Sequence, residues 1–250
     1  VNAVTKSGTN EFEGDFYVYN RNEDLVGDDA NGNAPGTFTE DTMGFSLGGP
    51  VVEDKLFFYF NYEKFEQVYP AFYGPNGSGA TLEAYYVTQA LVDRVRASAQ
   101  SLYGFDPGTY DTEQNNVSEN TFVKLNYLLN SDHELEISYI DTTSNLVKVR
   151  GQPPYGFSLD SQWYDDKQGV EVLTSKLFSN WSDRFSTQIV MSTRTQTDNQ
   201  DPYRGDNFPS VAIAINNSDG SCTGSSNCTN PFRTIWGSAR SGQYETLRIG

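Results

Sequence analysis

The chain has little of what most enzymes and nucleic-acid binders are built from. His133 is its only histidine. A Ser–His or Cys–His nucleophilic pair therefore has one candidate base, and a zinc cluster lacks its imidazoles. That histidine sits beside Asp132 at an expected tight turn, the usual place of a solvated side chain. Lys and Arg total 17 against 33 Asp and Glu, a net charge of −16. Nucleic-acid binding, which needs a basic footprint, is excluded as an expectation. No apolar run approaches the roughly 18 residues of a membrane-crossing helix. No initiator Met and no secretory signal open the chain, and a fragment or processed product is expected. Cysteine is scarce: Cys222 and Cys228 lie in CTGSSNC. So close a pair in a Gly/Ser/Asn loop suits a small disulfide ring in an oxidising compartment, free thiols being the other reading. Gly48 and Gly49 lead into a strand instead of a helix, so they form no phosphate loop. Carboxylates are abundant, but on loops and strand faces without the pocket that acid–base work needs, and no enzymatic activity is expected.

Aromatic residues, by contrast, make up 14% of the chain, with 16 Tyr, 16 Phe and 22 Gly beside only 36% hydrophobic residues overall. That is a β-rich composition. Asp41–Val68 shows why. Leu56, Phe58, Phe60 and Tyr62 alternate with Phe57, Tyr59, Asn61 and Glu63, so one face is apolar and the other turns polar. The stretch reads as two strands, 41–52 and 55–68, joined by a tight turn at Glu53-Asp54. Pro50 is tolerated only near a strand end or an irregularity. The same period recurs at 11–20, with Phe12, Phe16 and Val18 opposite Glu13, Asp15, Tyr17 and Tyr19. It recurs at 120–130 and 133–146 across a turn at Ser131-Asp132, and at 168–182 and 184–198 across a turn at Asp183. Val1–Asn10 reads as a short strand and turn, and a further strand opens at Ser241. From Thr81 to Tyr103 the period changes to helical through Ala84, Val87, Leu91, Val95 and Leu102, with Gly104 placed to end the helix. It reads as a helix capping a loop or as a partner-binding or gating helix.

Short turns alternate with long connections at 21–40, 69–119, 147–167 and 199–240. A meander of this kind gathers every tight turn at one end and every long loop at the other. Sandwiches with Greek-key connections rarely do so, whereas outer-membrane barrels do. Strands of about 10–14 residues suffice to cross a bilayer. In the apolar phases no Lys, Arg, Asp or Glu falls mid-strand, and Tyr19, Tyr62, Tyr69, Tyr139, Trp163, Tyr164 and Trp181 lie near strand ends, where an aromatic girdle belongs. The expected fold is all-β: part of an antiparallel up-and-down transmembrane β-barrel, about eight strands, with long extracellular loops, one holding a helix.

Two segments carry a family resemblance. VNAVTKSGTNEFEGDFYVYNRN at 1–22 resembles the junction of plug and barrel in TonB-dependent outer-membrane receptors of the Oar-like branch, which often carries a carboxypeptidase-regulatory-like domain. GFSLGGPVVEDKLFFYFNYE at 44–63 resembles the second and third barrel strands of that branch. The hairpins at 121–139 and 176–192 fit more loosely. The resemblance implies a barrel of about 22 strands that imports a scarce ligand, such as an oligosaccharide, peptide or metal chelate. It implies residues 1–10 as the end of the plug and its linker, and 11–250 as the first part of the barrel. Expected partners are outer-membrane lipid and lipopolysaccharide, the TonB complex through a plug not present in this chain, and an unknown ligand. Export, surface assembly and a soluble secreted adhesin are the alternatives.

On the transporter reading, parity makes Asn61, Glu63, Lys124, Asn126, Glu134, Glu136, Gln188 and Arg194 barrel-lining ligand contacts. Trp163 and Tyr164 in a loop are candidates to stack on a sugar or to mark the membrane surface. No cofactor is expected, with one alternative. Asp29, Asn31, Asn33 and Glu40 match oxygen-ligand positions 1, 3, 5 and 12 of a calcium loop. Ala34 and Pro35 spoil its usual tight turn, and a plain acidic loop is the other reading.

Overall fold

The structure is a computed structural model that describes residues 5–28, 30, 32, 34, 36–85, 87–149, 157–207, 212–214 and 234–236. Its strands are β1 Glu13–Asn22, β2 Thr39–Val52, β3 Leu56–Tyr69, β4 Tyr73–Pro75, β5 Leu82–Ala84, β6 Gln114–Leu128, β7 His133–Lys148, β8 Phe157–Ser158, β9 Tyr164–Ser182, β10 Phe185–Pro202, β11 Ala212–Ala214 and β12 Thr234–Trp236, with one helix, α1 Gln89–Tyr103. Seven of them make a single sheet in the order β1-β2-β3-β6-β7-β9-β10, every neighbour antiparallel. This is the expected meander. β1 and β10 are its outer strands, and among the described residues they do not pair with each other. The eighth strand, from Ser241, lies outside the described residues, as do Val1–Val4 of the first. Thr5–Asn10 forms no strand.

Two of the tight turns have a local cause. At the β2–β3 turn Asp54 takes φ 58, a conformation that Asp tolerates better than most residues, and the Lys55 N–H donates to Val52 O at 3.1 Å. At the β6–β7 turn the Leu129 N–H donates to His133 O, and the Asp132 N–H to the Asn130 side chain at 2.8 Å. Pro50 sits at a register shift and beyond the end of β1's pairing, where its missing N–H disrupts no ladder between three strands.

The register puts the apolar residues on one face. Leu47, Phe60, Val123, Tyr139 and Leu173 follow one another across five strands, and Phe45 pairs with Tyr62 on the same face. No second sheet covers them among the described residues. Phe16 is 70% exposed and Met191 68%, with Met43, Phe45, Leu47, Leu173 and Ile189 also exposed. This face ends on a row of charge. Lys64 pairs with Glu119, Asp141 with Glu171, and Thr121 with Asp141. From Leu56 to Lys64 the strand climbs roughly 26 Å, on the scale of the apolar band of about 25 Å on a membrane barrel. Tyr62 and Tyr139 stand just inside the row on the apolar face, and Tyr127, Trp181 and Phe185 at the turn end. Tyr19 and Tyr69 belong to the opposite face, so the girdle is narrower than the sequence implied.

Beyond the charge row the strands continue to pair: β6 starts at Gln114, β7 reaches Lys148, β9 starts at Tyr164 and β10 reaches Pro202. The sequence placed these stretches in loops. Gln114, Val147, Tyr164 and Asp166 are buried there, polar with apolar, so the ladder persists without the hydrophobic alternation that betrays a strand. The helix is also shorter than its expected span. Residues 82–84 pair as β5, Thr88 caps the helix by accepting from the Leu91 N–H, and α1 runs from Gln89. Ala84 and Val87 are buried in a neighbouring core, which is why their spacing looked helical. Gly104 ends α1 as expected, at φ 64 with its N–H on Gln100 O.

Phe60→Arg places a cation at the centre of the apolar face and is expected to destabilise protein folded into lipid vesicles by about 2–4 kcal/mol. Ser138→Arg, on the other face, is expected to cost far less; urea unfolding of the two variants in vesicles compares them.

Candidate functional site

The polar face of the sheet carries all eight residues that parity assigned to it. Gly44 pairs with Glu63 and Ser46 with Asn61; Tyr59 pairs with Lys124, Asn126 with Glu136, Glu136 with Lys176, and Glu134 with Phe178, which also pairs with Gln188. Arg194 follows further along β10. They do not form one cluster. Lys124, Asn126, Glu134 and Glu136 meet. Lys124 Nζ and Lys176 Nζ each stand 2.8 Å from a different oxygen of Glu136, and Asn126 Nδ2 donates to Glu134 Oε1 at 2.9 Å. Lys124 is only 4% exposed. Glu63 lies elsewhere on the wall and accepts from Tyr17 Oη at 2.6 Å. Arg194 donates to Gln196 at 3.0 Å.

Lys176 and Tyr17 were missed as site residues. Their signal was parity: Lys176 is out of phase with Leu173 and Leu177, which puts it opposite Glu136. A carboxylate between two ammonium groups is largely compensated, and both its oxygens are occupied.

Residues 5–11 lie against this same face at the turn end. Gly8 packs on the β2–β3 backbone so tightly that a Cβ there would overlap Phe58 O. Lys124 Nζ donates to Thr5 Oγ1 at 3.1 Å, and Asn10 and Asp54 exchange two hydrogen bonds, Nδ2 to Oδ1 at 2.6 Å and N to Oδ1 at 2.8 Å. Between this strap and the wall is a cavity of about 230 Å³ lined by Lys6, Glu11, Glu13, Asp15, Ser46 and Tyr59 among others.

At the loop end the long connections build a small core of their own. Tyr73, Ala84, Val87, Val92, Val147, Phe157, Leu159 and Trp163 are buried together. α1 contributes Val92 fully and Leu91 and Val95 in part. Trp163 and Tyr164 are therefore not presented to a ligand or to lipid. Trp163 is 0% exposed, its ring 6.2 Å from Tyr73 and 6.3 Å from Tyr203, its Nε1 donating to Tyr73 Oη at 3.1 Å. A buried Trp needs such a partner for its N–H, and the sequence could not tell a core aromatic in a loop from an exposed one. Glu83 closes the preceding turn by accepting from the Gly77 and Gly79 N–H groups, which hold its carboxyl below the ordinary range. Of the calcium alternative, Asp29, Asn31 and Asn33 lie outside the described residues. Glu40 is in β2 and uses both oxygens, on Arg21 Nη1 at 3.1 Å and Gln67 Nε2 at 2.8 Å. Among the described residues no three His, Cys, Asp or Glu side chains gather as a metal site. Cys222 and Cys228 also lie outside the described residues.

Lys124→Met is expected to destabilise the sheet by about 1.5–3 kcal/mol, the loss of a charged hydrogen bond, because Lys176 still compensates Glu136; denaturant unfolding measures it. Burial pushes the Tyr73 and Tyr203 phenols up to about 12. Since their folded values lie above the unfolded one of about 10, their contribution to the loop core is intact below pH ~10 and lost as pH rises through ~12. Alkaline titration of loop proteolysis is expected to show that window, and Tyr73→Phe to reduce the loss.

A family model described as "Outer membrane beta barrel domain" matches residues 4–76. Neither curated proteins nor solved structures gave a match. The matched residues hold the strap and β1–β3, which include the two-faced hairpin. With one meander carrying the same apolar face and polar wall on through β10, these strands are part of an outer-membrane β-barrel.

Proposed function

We propose that the chain is the first part of the barrel of a TonB-dependent receptor of the Oar-like branch, which imports a scarce ligand across the outer membrane. The observation that carries this reading is the strap. Residues 5–11 run along the polar face of β2, β3 and β6, held by Gly8, Asn10 and Thr5. A chain that enters a barrel along its inner wall is what a plug-to-barrel linker requires. On this reading residues 1–10 belong to the end of the plug and its linker, and the barrel starts at 11. The turns face the periplasm and the long connections the outside. The extracellular assignment agrees with the carboxylates at Glu113, Asp165, Asp166 and Asp201 on the strand ends above the charge row. Ligand meets the loop end and the polar wall, and the protein performs no bond chemistry. The ligand is an oligosaccharide, a peptide or a metal chelate. Partners are lipopolysaccharide around the apolar band and the energy-coupling complex reached through the plug. Calcium at Asp29, Asn31, Asn33 and Glu40 is not part of this reading, because Glu40 is already spoken for by Arg21 and Gln67.

Export or surface assembly uses the same wall in the opposite sense. Cells with and without the full-length protein separate the two. They are given labelled oligosaccharides, peptides and ferric chelates, with and without a protonophore. One class is expected to accumulate only in energised cells that carry the protein. Uptake that ignores the protonophore, or no uptake of any class alongside lost secretion, overturns import.

A further inference from the structure

Tyr17 and Tyr19 stand side by side on the polar face of β1, their rings 5.4 Å apart and tilted by 40°. Tyr19 is 66% exposed. On this face it makes no contact with lipid, and the described residues leave most of it uncovered. Tyr17 is held from two sides. Its ring lies over the bare backbone of Gly44, where a Cβ would collide with it, and its hydroxyl donates to Glu63 Oε2 at 2.6 Å. Its orientation is therefore set before any ligand arrives, which removes an ordering cost from binding.

The register lays uncharged groups beside the two rings. Tyr17 pairs with Gly44, Gly44 with Glu63, Glu63 with Asn120 and Asn120 with Thr142. At an inter-strand spacing of about 4.8 Å, this row spans roughly 19 Å from β1 to β7. In the next wall row towards the loop end, Tyr19 pairs with Thr42, Thr42 with Phe65 and Phe65 with Ser118. Glu63 is the one charge that β1, β2, β3, β6 and β7 bring to these two rows. Among the described residues, the Thr42, Ser118, Asn120 and Thr142 side chains spend no hydrogen bond on protein. The cations that these strands present on the wall are all held: Arg21 by Glu40, Lys124 by Glu136 and Lys148 by Asp166. Because Glu63 precedes Lys64 in β3, both rows lie level with the charge row that ends the apolar band.

This surface selects a ligand by its chemistry. An anionic ferric chelate would meet Glu63 and find no free cation beside it, and the terminal carboxylate of a peptide would meet the same difficulty. A sugar ring offers an apolar C–H face to an aromatic ring and a rim of hydroxyls to amides, hydroxyls and a carboxylate. We propose that Tyr17, Tyr19, Glu63, Asn120 and Thr142 form a subsite for a neutral oligosaccharide, laid across β1 to β7 at the level of the charge row. The proposal deepens the import reading and rests on it for the route by which a ligand reaches the wall.

Calorimetric titration of the full-length protein, in a detergent without a sugar headgroup, tests it. The probes are maltohexaose, cellohexaose, xylohexaose and laminarihexaose, set against a ferric tris-catecholate and hexa-alanine. At least one hexasaccharide is expected to bind, and neither of the other two probes. Tyr19→Ala is expected to weaken that binding about tenfold, the worth of one ring contact, and Asn120→Ala about threefold, the worth of one neutral hydrogen bond. Tyr19→Phe keeps the ring and is expected to bind as the unmodified protein does. Binding of no hexasaccharide overturns the proposal, and so does binding that Tyr19→Ala leaves intact. If Tyr19→Ala does not fold, Asn120→Ala decides it in the same way. Hexasaccharide binding without energised uptake refutes import and leaves the subsite standing. Energised uptake of a chelate or peptide that Tyr19→Ala does not slow refutes the subsite and leaves import standing.

Discussion

Hydrocarbon offers a backbone amide no partner, and the rest of the molecule follows from that. Where one face of the sheet meets lipid, every N–H and C=O has to be satisfied by the neighbouring strand. The antiparallel ladder from β1 to β10 does this without a crossover. A meander is the simplest path that gives each strand its sequence neighbour as its hydrogen-bonding neighbour, and it puts successive connections at alternate ends, the tight turns at one and the long connections at the other. The side chains then sort by parity. Phe16, Phe45, Phe58, Phe60 and Ile189 project to one side, and Lys124, Asn126 and Glu136 to the other.

Glycine and aromatic residues cooperate in packing both faces of the β1–β2 hairpin. On the polar face the Tyr17 ring lies over Gly44, where a Cβ would collide with it; on the apolar face the Phe12 ring lies over Gly49 in the same way. Each ring covers backbone that its cross-strand neighbour leaves bare. Gly8 of the strap lets it approach the wall, because a Cβ there would overlap Phe58 O and the Gly49 backbone. The GFSLGGP stretch thus supplies a surface thin enough for rings on both sides and a second length of chain on one.

The ionic groups divide in the same physical way. In the wall Glu136 is compensated by two lysines and Glu40 by Arg21, while Glu63 accepts a hydrogen bond from the Tyr17 hydroxyl. At the level of Lys64, Glu119, Asp141 and Glu171 they face outward and end the apolar band. Above that level most of the acidic excess is solvated on strand ends and connections, but Asp160 is drawn inside and matched by Arg204, and Asp166 is buried beside Lys148.

The hairpins, their tight turns and the face of every wall residue were legible in the chain, because alternation with period two is a local property that lipid on one side imposes residue by residue. Lys176 was readable by the same rule once its phase was compared with Leu177. The upper strand ends at 114–119, 147–148, 164–167 and 199–202 were not, since polar Gln114 and Asp166 are buried there beside Val147 and Tyr164, which erases the alternation while pairing goes on. Nor could spacing alone separate Ala84 and Val87, which enter a loop core, from the helix that starts at Gln89. The meeting of Asp160, Thr112 and Arg204 and the burial of Trp163 depend on three connections folding against one another across long stretches of chain. Sequence order carries no periodic trace of such contacts, so only the tertiary structure decided them.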